Sequence, residues 1–510
     1  MDQKSDNNAS GTEVVLDSYE LTANGLPVSI KIIDRGEFAP IYEVTVPGIG
    51  QATKLLLLSL RQELLNLVPF DLNRMDNKEY IDELTVKYGN ASNLLINKYL
   101  PRTDDKSKDL LKAYIINIMV GLGELEAPLA DQKLEEIAVN SGNTEVWVFH
   151  SEFGWCKTNM ILGSDNLVYN DAEQIGRRVG RQISNLSPIM DAKLIDGSRV
   201  NATLFPISQS GNTLTIRKFA KNPWTVTSLI ANKTCPSNIA ALIWLCMQNE
   251  LSLMVSGGTA SGKTSFLNAI STFIPAGRRV ISLEETRELT LPSFLQWLPM
   301  LTRQPNAEGK GEISLYDLMI NALRQRPDVI LVGEMRTKKD AEMLFEAIHT
   351  GHAVYGTLHA DDVEDTVLRM TNEPIAIPKI VLNALAGIVT LFRYRKVGVR
   401  RVLEIGEMQR TGDANVLYRW NLRKDTFLRV SASGRLYEIF DQYAGLTGNE
   451  VEDDIKEKGD ILEWMVRNKI FEVDDVSYTV SSYYKSKDKV VQLVKDDAQF
   501  KDTFLYRGPK

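Results

Sequence analysis

The stretch LSLMVSGGTASGKTSFLNAI, residues 251–270, decides how this chain is read. Leu251–Val255 is a short apolar run of the kind that forms a buried strand. Glycines follow at once. From Ser265 to Ile274 the apolar residues Leu267, Ile270, Phe273 and Ile274 then fall on one helical face. Between strand and helix stands Gly257-Gly258-Thr259-Ala260-Ser261-Gly262-Lys263-Thr264, a match to G-x-x-x-x-G-K-T in the context the motif demands. Glycines let backbone N–H groups curl around phosphate oxygens, and the helix N-terminus adds its positive end. Lys263 offers a point charge to β- and γ-phosphates, and Thr264 a hydroxyl to Mg²⁺. Residues Gly257 through Ser265 are therefore the expected cradle for a nucleotide such as ATP.

Working outward, Arg279–Leu283, Asp328–Val332 and Ala353–Leu358 read as buried strands. Lys338–Thr350 carries Ala341, Leu344, Phe345 and Ile348 as a helical stripe. Strands alternating with helices predict an α/β fold with a mostly parallel sheet and right-handed crossovers. Three clusters stand at the ends of these elements. The run Asp328-Val-Ile-Leu-Val-Gly-Glu334 ends a strand in an acid, as a metal-facing or water-facing carboxylate requires. Glu284-Glu285-Thr-Arg-Glu288 puts three carboxylates in one turn, where they repel unless solvated or near a cation. A solvated turn is one reading; the other is a Mg²⁺ and water site opposite Glu334, with Thr264, Glu285 and Glu334 as metal ligands. Of four histidines, His349, His352 and His359 lie together. Their spacing and the absence of a nearby cysteine argue against zinc. His352 and His359 are expected near the γ-phosphate, reporting its presence, and His150 is remote from them.

The first half carries less chemistry. Residues 1–13 read as a solvated tail. Residues 14–105 read as an N-terminal docking module with strand-like runs and a leucine-spaced helix at Lys54–Val68. Residues 106–220 read as a small α+β domain that includes a basic helix, Gln174–Ile183. A linker at 221–237 and an ATPase domain at 238–510, helical towards its end, complete the expected organisation. Arg199 in DGSRVN and Arg217 in TIRKF precede that linker; each is either a surface ion pair or a guanidinium offered to phosphate. Composition is that of an ordinary soluble mix, 44% hydrophobic and 25% charged. A net charge of −7 gives no global reason to bind nucleic acid. Three separated cysteines support neither a disulfide framework nor a four-cysteine zinc site, which suits a reducing cytosol. The apolar runs are shorter than the roughly 20 residues of a membrane span, and the first residues are polar rather than signal-like.

Taken together, four blocks in this order resemble the secretion-superfamily ATPases of type II secretion, type IV pili and the archaellum. These are the phosphate loop at 257–264, the acidic box at 284–288, the run Ala322–Arg336 and the histidine box Thr350–Asp361. DGSRVN and TIRKF resemble that family's arginine-bearing segments. The resemblance covers about 110–400. It implies a RecA-like P-loop domain with a parallel-rich sheet, preceded by small α+β domains, and a hexameric ring using ATP and Mg²⁺ at domain and subunit junctions. It implies catalytic roles for Lys263, Glu288, Glu334, His352, His359, Arg199 and Arg217. Within these, Glu288 activates water and Glu334 supports Mg²⁺ and that water, with Arg303 and Arg324 as further phosphate or subunit contacts. It also implies cytosolic work at the inner face of the membrane, through a polytopic platform protein, on pilin-like or secreted substrates, without direct nucleic-acid binding.

Departures from the family pattern are local. Glu285 stands where Asp is frequent, and Met335-Arg336-Thr337 follows Glu334 where Asp often closes the run. The paired-cysteine zinc insertion of many bacterial assembly ATPases is absent, which turns the resemblance towards the archaeal branch. Two competing readings keep the nucleotide: a nucleic-acid motor on the same core, and a nucleotide-gated scaffold without turnover.

Overall fold

The computed structural model describes residues 13–46, 49–69, 78–194, 197–219, 223–305, 309–394 and 396–507. The expected tail up to residue 12, Asp196 of DGSRVN, residue 220 and the start of the expected linker at 221–222 lie outside them. The chain divides into two compact units, residues 1–221 and 222–510.

The first unit is one nine-stranded sheet with helices. Its elements are β1 (Val14–Ala23), β2 (Leu26–Asp34), β3 (Ile41–Thr45), α1 (Gln51–Leu67), α2 (Lys78–Tyr99), α3 (Asp105–Met119), α4 (Glu126–Ala130), β4 (Leu134–Val139), β5 (Glu145–His150), β6 (Gly154–Ile161), α5 (Asp165–Arg178), β7 (Ile189–Lys193), β8 (Arg199–Thr203) and β9 (Thr213–Arg217). The order is β1-β2-β3-β6-β5-β4-β9-β8-β7, antiparallel apart from the β3–β6 pair. Alternation along β2 and β5 buries Ile30, Ile32, Val146 and Val148 on one face. Strands from both expected N-terminal modules therefore share a single sheet, joined where Ile41 and Tyr42 pair with Lys157 and Thr158. On α1, Leu57, Leu60 and Leu64 are buried at helical spacing in a separate cluster with α2 and α3, as the leucine pattern predicts. The basic helix expected at 174–183 starts earlier and ends earlier. Ser164 caps it through the Leu167 N–H, and Gly180 at φ +67° takes the left-handed turn that stops it.

The second unit holds α6 (Val226–Ala231), α7 (Ser237–Gln248), β10 (Leu253–Gly257), α8 (Lys263–Ile270), β11 (Arg279–Glu284), β12 (Gln296–Leu301), α9 (Leu315–Leu323), β13 (Val329–Val332), α10 (Lys338–His349), β14 (Ala353–Leu358) and α11 (Val363–Thr371). β15 (Gly387–Tyr394), β16 (Val399–Met408), β17 (Ala414–Asn421), β18 (Thr426–Arg429), α12 (Arg435–Ala444), α13 (Gly448–Arg467), α14 (Val473–Lys485) and α15 (Lys487–Lys495) follow. Its nine strands run β12-β11-β13-β14-β10-β15-β16-β17-β18. From β12 to β15 neighbours are parallel; from β15 to β18 they form an antiparallel meander.

The expected linker differs from what forms. Val226, Leu229 and Ile230 of α6 are buried, and Thr225 and Thr227 donate their hydroxyls to the carbonyls of Phe471 (3.1 Å) and Ile470 (2.7 Å). Most of α6, with Thr234 and Cys235 after it, is thus packed into the second unit rather than free as a linker. There α7 packs on α13, and Trp244 stacks on Phe273 at 5.2 Å. Among the described residues no single helix is long and apolar enough to cross a bilayer.

Candidate functional site

The parallel register brings the expected chemistry to one edge. Met254 lies level with Gly356, Gly356 with Val332, and Val332 with Leu283. One to three residues further on, these four strands deliver Gly257, His359, Glu334 and Glu284 to their carboxyl ends. This is the edge where open α/β sheets hold ligands. One strand, β14, separates β10 from β13.

After β10 the backbone turns sharply, and only glycine fits its first position. A Cβ on Gly257 would come within 2.4 Å of Ser261 Oγ and 2.6 Å of the Leu391 carbonyl oxygen. Gly262, at φ +97°, caps the start of α8 in the left-handed region. The Lys263 ammonium folds back onto the carbonyls of Gly257 (3.0 Å) and Gly258 (3.4 Å). Burial draws its proton affinity down, opposed by Glu334 and Glu288 nearby. Ser261 Oγ is buried and has no hydrogen-bond partner among the described residues. A glycine-lined hollow, an inward ammonium and an orphaned hydroxyl fit a polyphosphate.

The acidic box separates into three different residues. Glu284, 1% exposed, does not face solvent. One of its carboxylate oxygens accepts the backbone N–H groups of Glu288 (2.8 Å) and Leu289 (3.0 Å), and Ser282 Oγ reaches the other at 3.3 Å. Burial pushes its carboxyl upward in pKa, against the pull of those bonds. Glu284 therefore fixes the loop that carries Glu288 within electrostatic reach of Lys263. Glu285 turns to Arg336, whose Nη1 lies at 3.0 Å, while Nε and Nη2 of Arg336 hold Glu334 at 2.9 and 2.5 Å. The two carboxylates expected to face metal share a guanidinium from their own chain. The sequence pattern groups Glu284 with the other two carboxylates and gives Arg336 no role. The strand-end position of Glu284 was its one signal.

Thr337, where the family often has Asp, caps α10 in a capping box with Asp340. Asp and Thr both serve as N-caps, so the departure keeps that role. The segment between is pinned to β14: Met335 N–H bonds to Thr357 O at 2.9 Å, and Thr357 Oγ1 donates to Gly333 O.

Of the histidines, His359 reaches the loop, its Nε2 lying 3.0 Å from Thr259 Oγ1. His352 does not. It precedes β14, whose six residues span about 20 Å at strand rise. At that opposite edge its Nδ1 sits against Ala347 O and Thr350 Oγ1, both at 3.1 Å, closing the end of α10. The expectation that both histidines stand at the γ-phosphate is corrected for His352: strand direction separates them. Arg324, which ends α9 before β13, is also at that far edge. Arg303 follows β12 at the near edge, its Nε bonded to Gly311 O at 2.6 Å. In the first unit, Arg199 and Arg217 are direct cross-strand partners, flanked by Lys193 and by Glu136. His150, buried in that unit, accepts the N–H groups of Glu152 and Phe153 through Nδ1.

Among the described residues no group of three or more His, Cys, Asp or Glu side chains could hold a metal ion alone. A divalent ion at this edge would need ligands besides these side chains, such as phosphate oxygens and water.

With this geometry in view, likeness to known proteins becomes informative. Residues 164–405 match a family described as type II/IV secretion system protein. An uncharacterized protein of Methanocaldococcus jannaschii is 31% identical over 494 residues, covering 90% of this chain and 88% of the relative. The chain belongs to the type II/IV secretion system protein family. That relative also agrees with the archaeal leaning of the sequence. The type IV secretion system protein PtlH of Bordetella pertussis is 27% identical over 265 residues, 48% of this chain and 77% of PtlH. A crystal structure of the pilus retraction motor PilT with bound ADP covers 73% of this chain and 96% of that one, at 18% identity and a TM-score of 0.40. The family match spans both units and ends in β16, three residues short of its last strand position, Met408.

Proposed function

We propose that this protein is an ATP-hydrolysing motor of a type II secretion, type IV pilus or archaellum-like system, working as a homohexameric ring at the cytosolic face of the membrane. The observation that carries the reading is the strand–loop–helix at Gly257–Thr264, with Lys263 within electrostatic reach of Glu334 and Glu288, which follow β13 and β11 at the same sheet edge. Backbone N–H groups of the loop and Lys263 bind the β- and γ-phosphates. Thr264 and Glu334 would hold a Mg²⁺ ion, which would neutralise charge on the transferring phosphoryl group. Glu288, fixed by Glu284, takes the proton of the attacking water. His359, through Thr259, senses the end of the triphosphate. Arg336 must leave Glu334 for that carboxylate to meet a metal. Roles for Arg199 and Arg217 towards phosphate belong to the same proposal, as do a polytopic membrane platform and pilin-like or secreted substrates.

The test is phosphate release from ATP and Mg²⁺ across a range of protein concentrations. A ring enzyme shows specific activity that rises as it assembles. Nucleotide binding with no release at any concentration would leave a non-catalytic scaffold.

A further inference from the structure

The phosphate loop has a second cationic flank. Lys263 and its acidic partners lie towards β14, β13 and β11. On the other side of β10 come β15 and then β16. In that antiparallel ladder Arg393 and Arg400 are directly opposite one another. Directly opposite residues share a face, their Cβ atoms about 5 Å apart, and like charges there repel.

Arg400 touches the loop, and Arg393 stands opposite Arg400. Arg400 Nε donates to the carbonyl of Ala260 at 3.2 Å, and its Cδ lies 3.5 Å from where a Gly262 Cβ would stand. Arg393 is partly buried, and its Nε makes no hydrogen bond among the described residues. Two nearby acids are already engaged: Glu404, on the same strand as Arg400, takes Arg419 at 2.6 Å, and Asp425 takes Arg401, one residue on, through two bonds of 2.9 Å. A repelling pair, a buried donor without acceptor and contact with the phosphate cradle all call for an anion in the same place.

Resting on the nucleotide reading above, we infer that Arg393 and Arg400 bind the α-phosphate of the nucleotide. The γ-phosphate end belongs to the Lys263, Glu288 and Glu334 side, two strands away in the opposite direction. The arginine pair therefore meets the nucleoside end of the polyphosphate. It holds ATP and ADP alike and does not read hydrolysis.

The experiment is equilibrium binding of fluorescent ATP and ADP analogues to the full chain, wild type against Arg393→Gln, Arg400→Gln and the double variant. Adenosine and tripolyphosphate serve as competitors. Arg393→Gln is the cleaner change, because Arg400 also bonds to the loop; Arg400→Lys keeps the charge and controls for that contact. Loss of a charge-assisted bond to phosphate predicts affinity about tenfold weaker or more, equally for ATP and ADP, with unchanged competition by adenosine. Unchanged affinity in both single variants, or weakening confined to ATP, would overturn the assignment. Failure of the wild type to bind either nucleotide would instead remove the nucleotide reading itself.

Discussion

Replacing Glu284 separates a scaffolding carboxylate from a reacting one. Glu284 is buried, and a single oxygen accepts the N–H groups of Glu288 and Leu289 at 2.8 and 3.0 Å. In Glu284→Ala both donors lose their acceptor. Each buried N–H left unpaired costs about 1–3 kcal/mol. The substitution also relieves the burial that pushes this carboxyl up, so the net cost is about 2–4 kcal/mol. Converted at 1.36 kcal/mol per decade, that is a local opening equilibrium roughly 30- to 900-fold more favourable. In Glu284→Gln the amide oxygen can occupy the same position and accept both N–H groups, while its NH₂ meets Ser282 Oγ. Hydrogen exchange of the peptide spanning residues 285–291 measures the difference directly. Exchange at 288 and 289 should accelerate by at least about 30-fold in the alanine variant and stay near wild type in the glutamine variant. ATP hydrolysis should follow the same order, lost with alanine and largely kept with glutamine, because the loop places Glu288. Equal loss of hydrolysis in both variants would mean that the Glu284 charge itself reacts. Wild-type exchange in the alanine variant would refute the scaffold outright.

Two further substitutions probe positions the chemistry does not use. Thr337→Ala removes the cap of α10 and should cost about 1 kcal/mol in a denaturant titration, whereas Thr337→Asp, the residue frequent in the family, should stay within a few tenths; equal effects would refute the capping role. Asp171 on α5 is pushed up to about 7 by burial, with Glu126 adding to the rise and Arg61 and Arg178 opposing it. Its folded-state pKa exceeds its unfolded value, so its contribution is complete below the ordinary carboxylate range and is lost as pH climbs through about 7. The melting temperature of the first unit should fall between about pH 4 and 7 and level off above, and Asp171→Asn should flatten that dependence; an unchanged slope in the variant would exclude this residue as its source.

The parallel core was legible because its signals are local. Apolar runs ending in glycine or acid mark β10, β11 and β13, the buried run Ala353–Leu358 marks β14, and the stripe Ala341–Ile348 marks α10. The loop needed glycine at 257 and 262 for steric reasons that any fold would impose. What stayed hidden depends on strand direction and register. Nothing in the spacing of His352 and His359 says that a full strand separates them, yet β14 sends one to each edge. The acidic box reads as three equal carboxylates, although burial makes Glu284 a scaffold and Arg336 takes up Glu285. The meander β15–β18 has no local signal because Gly387–Leu391 is buried on both faces and so shows no alternation. In the first unit the parallel β3–β6 pairing joins segments more than a hundred residues apart, which no local pattern encodes.

On the proposed function, the loop after β10 grips a triphosphate that Glu288 then helps to cleave. The most direct measurement is ATP occupancy and phosphate release, in the presence of Mg²⁺, for the wild type beside Lys263→Ala and Glu288→Gln. The account predicts release only in the wild type, occupancy retained in Glu288→Gln, and occupancy lost or sharply weakened in Lys263→Ala. Release at the wild-type rate from both variants would contradict it.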